Sequence, residues 1–179
     1  LVIALAVGAG LGCAGALLQG IFANPLAEPS IIGVSSGGAV FASGLLAIAS
    51  LAGVERSYGF LKWGTALAAF IGALLTTLLV YSLSRVQGKT VVVNLILVGV
   101  AINAMAGGFV TLFSFIGGTM AQSQVVFWQL GSLAGAGWSS AVITLIITVI
   151  GIVIACLCAP KMDLLALGEN QARHLGVNV

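Results

Sequence analysis

The sequence predicts an all-α, polytopic membrane helix bundle of about five transmembrane helices, with one short interfacial helix and a polar tail. Three observations carry this prediction. Only 6% of the 179 residues are charged and 60% are hydrophobic, whereas soluble domains carry roughly 25% charged residues. Mean hydropathy is +1.24. Apolar runs near bilayer length, about 20 residues, recur along the chain, parted by prolines, glycines and the few charges. Six basic and four acidic side chains do not solvate a soluble protein of this length. Lipid, whose tails are as apolar as leucine, is the solvent that suits it.

The first span covers residues 1–23, which carry no charge. Asn24, Pro25, Leu26, Ala27, Glu28 and Pro29 then break the helix with two prolines and a carboxylate. A second run, 31–53, opens with the glycine- and serine-rich stretch at 33–38. The third runs over 61–84 and ends at Arg85, the fourth over 91–116, and the last over 141–159, closed by Pro160. Between the last two, residues 122–138 hold Trp128, Trp138 and several glycines. That stretch is too short for a span and fits a helix lying at the membrane surface or partly re-entrant, where Trp is enriched.

Charge sets the orientation. With five spans, Arg85, Lys89, Lys161 and Arg173 fall on one side, and Glu55, Arg56 and Lys62 on the other. The excess of positive charge marks the first side as cytoplasmic, and the break at Asn24 to Pro29 lands there too. The first residue is then outside, with no initiating Met before it, which leads us to expect at least one preceding helix.

The first span is lined by Gly8, Gly10, Gly12, Gly15 and Gly20. Small residues let helices approach closely in a bilayer. Tight packing and a helix that shifts against its neighbours are both compatible with that pattern.

Several function classes are excluded. A net charge of +2 with no basic run gives nothing for nucleic acid to bind. Cys13, Cys156 and Cys158 lie in apolar runs without disulfide or metal spacing. His174 is the single histidine, read as a surface residue. Gly88, Lys89 and Thr90 end like a phosphate-binding loop, but Leu83 occupies its upstream glycine position. No nucleophile and base pair is visible, so the chain is read as a non-enzyme that needs no cofactor.

The tail, 161–179, is the most polar stretch. Asp163 is placed to cap a short helix over 164–167. A second helix over 169–175 follows, with Glu169 and Arg173 complementing its dipole and Gly176 as its C-terminal cap. From the residues alone, an amphipathic docking hairpin and an ordinary loop stand equally.

At this point the residues resemble a known family. Gly12 to Gly20, then Asn24, Pro25, Leu26, Ala27, Glu28 and Pro29, then Gly33, Val34, Ser35, Ser36 and Gly37 are similar to the FecCD permeases of ATP-binding-cassette importers. Two further stretches agree in order and spacing: Phe127, Trp128, Gln129, Leu130, Gly131, Ser132 and Leu133, and Leu164, Leu165, Ala166, Leu167, Gly168 and Glu169, with Ala172, Arg173, Leu175 and Gly176 after them.

The resemblance implies a multi-pass subunit of the bacterial inner membrane. Such subunits have ten helices and pair as homo- or heterodimers around a central path. Two cytoplasmic ATPase subunits dock beneath, and an extracytoplasmic binding protein delivers cargo. By that comparison the chain corresponds to helices two through six plus a coupling segment, without helix one and helices seven to ten. Residues 1–160 are the partial bundle and 161–179 the cytoplasmic coupling segment. Leu165, Gly168, Glu169, Ala172, Arg173, Leu175 and Gly176 match the segment that meets the ATPase. Asn24, Pro25 and Leu26 match a gate at the cytoplasmic mouth. The family's fifth helix, here 91–116, lines the path, which makes Asn94, Asn103, Met105 and Thr111 its candidates.

The function this implies is import of an iron–siderophore complex, with haem and cobalamin as alternative cargoes. An ion-coupled carrier is disfavoured, because its ionisable residues belong near the membrane midplane and here they lie at span ends. An intramembrane enzyme lacks its constellation.

Overall fold

The computed structural model describes residues 1–54, 58–86, 89–133, 136–166, 172 and 174, with side chains left out at 58–60, 89 and 166. Among the described residues six helices form: α1 (Val2–Phe22), α2 (Val34–Leu51), α3 (Tyr58–Leu83), α4 (Val92–Ile116), α5 (Gly118–Leu130) and α6 (Trp138–Ala166). A 3-10 turn, Pro29–Ile32, precedes α2. A two-residue antiparallel ladder, β1 (Arg85–Val86) with β2 (Lys89–Thr90), joins α3 to α4. The hydropathy pattern does not signal that ladder.

Five of the helices, all but α5, are long and apolar enough to cross a membrane, so the chain is a multi-pass membrane protein. At about 1.5 Å per residue, the 13 residues of α5 span well short of the roughly 30 Å hydrocarbon core.

The chain forms two compact units. One combines residues 1–28 and 133–179, and the other is 29–132. In the first, α1 packs on α6. Thr148 Cγ2 lies 3.5 Å from the position a Cβ on Gly10 would take, an ordinary van der Waals distance, so the two helices meet at this position. In the second, α2 is central, packed against α3, α4 and α5. Eight of its residues are buried, among them Gly37, Gly38, Ala42, Ser43, Gly44 and Leu46.

Three expectations are corrected. Pro160 does not close the last span, since α6 continues through it to Ala166. Proline removes one backbone donor, but the last turns are held laterally. The Met162 methyl sits 3.2 Å from where a Gly20 Cβ would be, and Leu164 and Leu165 are half-buried. Asp163 therefore lies inside α6 instead of capping a new helix over 164–167.

The third correction concerns the short helix, which occupies Gly118–Leu130 and not 122–138. Gly118 adopts φ +75° directly after α4, a left-handed conformation that glycine reaches without strain. The chain thereby folds back at once, burying Ala121 and Val125. Ser50 of α2 donates its hydroxyl to the Gly117 carbonyl at 2.9 Å and fixes the corner.

Candidate functional site

The break after α1 is an ordered turn. Ala23 takes a left-handed conformation (φ 46°, ψ 38°) and closes α1, with its N–H on the Gly20 carbonyl and the Asn24 N–H on the Gln19 carbonyl. That bond pair is the two-bond helix ending usually built on glycine. Asn24 Oδ1 then accepts from the Leu26 N–H at 2.9 Å, and the Asn24 carbonyl accepts from the Ala27 N–H at 3.1 Å. Pro25, with its φ fixed near −65°, sits inside this double-bonded turn. Leu26 is left 82% exposed while Ala27 is buried. The three predicted gate residues thus form one hydrogen-bonded turn whose apex is an apolar side chain.

The 3-10 turn that follows belongs to the second unit and is clamped there from two sides. Gly33, the residue before α2, has φ +82°, and a Cβ on it would stand 2.8 Å from Thr76 Cγ2 of α3. On the other side Gly99 of α4 presses against the Ile31 carbonyl, with no room for a Cβ.

Asn103, one turn along α4, completes the clamp. Its Nδ2 donates to the Ser30 carbonyl at 3.0 Å, and its Oδ1 accepts from the Ser36 hydroxyl at 2.6 Å. The orientation of the amide is dictated by chemistry, because a carbonyl only accepts. Ser36 has a second acceptor, the Gly33 carbonyl, at the longer distance of 3.2 Å.

The path candidates therefore separate. Asn103 turns into the packing between α4, the 3-10 turn and α2. Thr111 is exposed, its hydroxyl on the Gly107 carbonyl at 2.9 Å. It lies on an open stripe with Leu97, Ala101, Ala104, Gly108 and Phe115, all exposed and spaced alternately by four and three residues. Such spacing places residues on one helix face. Met105 is exposed and Asn94 half-buried, and both fall at the edge of that stripe by helical periodicity.

The open face of α3 is different. It carries Leu67, Phe70, Leu74, Leu75 and Leu78, the large aliphatic and aromatic surface that suits lipid. Side-chain size over the middle of the α4 stripe, where Ala101, Ala104, Gly108 and Thr111 lie, and not mean hydropathy, distinguishes the two faces. That signal is present in the sequence, but helices apolar all round hide it until their buried faces are known.

Of the tail residues, Leu165 is half-buried at the end of α6 and Ala172 is fully buried in a helical position. Gly168, Glu169, Arg173, Leu175 and Gly176 lie outside the described residues. His174 is exposed.

Comparison with known proteins matches all of these elements together. A cobalamin import system permease protein, BtuC, of Halobacterium salinarum is 36% identical over 179 residues, covering 100% of this chain and 46% of the relative. The hemin transport system permease protein HmuU of Yersinia pestis is 34% identical over 178 residues, covering 99% of this chain and 52% of the relative. A vitamin B12 import system permease protein of Vibrio vulnificus is 36% identical, covering 51% of its own length.

The chain thus spans about half the length of the curated relatives it matches. A solved structure of a metal-chelate type ABC transporter in an inward-facing conformation is similar with a TM-score of 0.82 and 31% identity, over 99% of this chain and 54% of that one. The family model of the FecCD transport family matches residues 1–179, and the chain belongs to that family.

Proposed function

We propose that this chain forms part of the permease subunit of an ATP-binding-cassette importer for a metal chelate, cobalamin or haem ahead of an iron–siderophore complex. The observation that carries the reading is the match along the whole chain to permeases named for cobalamin, vitamin B12 and hemin. None of these three relatives is named for a siderophore, so the cargo expected first from the sequence ranks behind the other two.

The geometry supports the same reading. The translocation path runs along the α4 stripe whose middle carries the small residues Ala101, Ala104, Gly108 and Thr111, with Asn94 and Met105 at its edge. A wide, weakly polar lining suits a large cargo, because it offers few groups that would hold it. The hydrogen-bonded turn at Asn24, Pro25 and Leu26 supplies the cytoplasmic gate. Residues 161–179 form the coupling segment, in which Leu165, Gly168, Glu169, Ala172, Arg173, Leu175 and Gly176 meet a separate ATPase subunit.

On this reading the chain hydrolyses nothing. Two ATPase subunits, a second permease subunit and an external binding protein complete the machine, and ATP-driven closure of the ATPases tilts the helices to alternate access.

Co-purification tests the coupling segment. The parent permease retains its ATPase subunits through size-exclusion in detergent, whereas Glu169→Ala with Arg173→Ala releases them. Retention of the ATPase together with unchanged stimulated hydrolysis in the double variant contradicts the assignment.

A further inference from the structure

We propose that Asn103 is a positioning residue for transport, one that locks the 3-10 turn Pro29–Ile32 and the start of α2 to α4 and so anchors the downstream end of the gate segment. The proposal rests on the permease reading above, and goes beyond it by assigning α4 a second role besides lining a path.

Three independent contacts converge on the anchor. Asn103 Nδ2 holds the Ser30 carbonyl at 3.0 Å. The Ser36 hydroxyl holds Asn103 Oδ1 at 2.6 Å. Gly99, one turn earlier, lets the α4 backbone meet the Ile31 carbonyl directly. A polar side chain in an apolar helix satisfies its amide where it can, and here both ends of the amide are spent on the same short segment. An apolar residue at 103 packs there equally well but specifies no register between α4 and the turn. The chemistry thus favours a positioning role over simple space filling.

Only Ala27 and Glu28 separate the gate residue Leu26 from the anchored turn. Displacement of α4 during the transport cycle is therefore handed to one end of the gate segment through a link of only two residues, Ala27 and Glu28. When the amide is removed, α4 moves and the segment lags. Losing two neutral hydrogen bonds shifts a two-state equilibrium by about tenfold.

The test reads the gate and needs no cargo. In the assembled transporter, with Cys13, Cys156 and Cys158 replaced by serine, Leu26→Cys is labelled with a water-soluble maleimide in ADP and after ATP–vanadate trapping. Leu26 is the exposed apex of the turn, so its reactivity reports the segment.

In the parent, the two nucleotide states label at different rates. Asn103→Ala shrinks that difference about tenfold, and Ser36→Ala, which leaves the Ser30 bond in place, shrinks it by less, in both cases with the complex still assembled. A response equal to the parent's in Asn103→Ala overturns the proposal. Loss of the assembled complex in Asn103→Ala together with a parental response in Ser36→Ala also overturns it, since the amide is then only structural. A parent that does not respond to nucleotide overturns the gate assignment of Asn24, Pro25 and Leu26, and the proposal with it.

Discussion

Gly37 of α2 and Gly72 of α3 meet backbone to backbone, so closely that a Cβ on Gly37 would stand 2.5 Å from the Gly72 carbonyl oxygen. The exclusion is mutual, because a Cβ on Gly72 would collide with the Gly37 carbonyl oxygen, and it would also lie 2.6 Å from Phe41 Cβ. In a bilayer no hydrophobic force drives helix association, and close van der Waals contact between small residues takes its place. This pair brings α3 onto α2, which with α4 and α5 also packed against it is the most buried of the spanning helices.

Gly37→Ala is expected to destabilise the α2–α3 pair by about 1–3 kcal/mol, the usual cost of overpacking. The adjacent Gly38→Ala is the control, since its Cβ would sit 3.4 Å from the Ala69 carbonyl oxygen, an ordinary contact. That variant is expected to be neutral or stabilising by up to about 1 kcal/mol, as glycine is a poor helix residue. Thermal unfolding in one detergent distinguishes them.

Gly33 combines two constraints that a pair of substitutions separates. Gly33→Ala suffers both the overlap with Thr76 and the strain of φ +82°. Adding Thr76→Ser deletes the offending methyl and leaves the backbone strain, about 1–2 kcal/mol for a residue with a Cβ. Partial recovery of thermal stability in the double variant is the expected outcome.

At the end of α1 the reverse substitution is favourable. Ala23 holds a left-handed conformation that glycine adopts freely. Ala23→Gly is expected to stabilise the helix end by up to about 1 kcal/mol, seen as slower limited proteolysis after residue 23. Asn24→Ala, which removes the bond to the Leu26 N–H, is expected to speed it.

The spans were legible because bilayer length and hydropathy constrain them together: the first, third and fourth run as read, give or take a few residues. What the sequence hid lies where lateral packing overrules local preference. Pro160 is a strong local stop, yet the contact of Met162 with Gly20 carries α6 past it. Trp128 and Trp138 drew the short helix towards the aromatic stretch, whereas its position is set by the φ of Gly118 and the burial of Ala121. The bonds of Asn103 were hidden because its partners, Ser30 and Ser36, lie 73 and 67 residues away. No local pattern reports a pairing at that distance. The glycines of the second span were visible as a cluster, but which of them touches backbone was not.

ATP-dependent uptake into proteoliposomes tests the central claim most directly. The transporter is reconstituted with its ATPase subunits and binding protein, and labelled cobalamin and haem are supplied in parallel on the binding-protein side. The account predicts accumulation of one of these chelates with ATP inside, none with a non-hydrolysable analogue, and none when an ion gradient replaces ATP. Uptake driven by a gradient in the absence of the ATPase would contradict it.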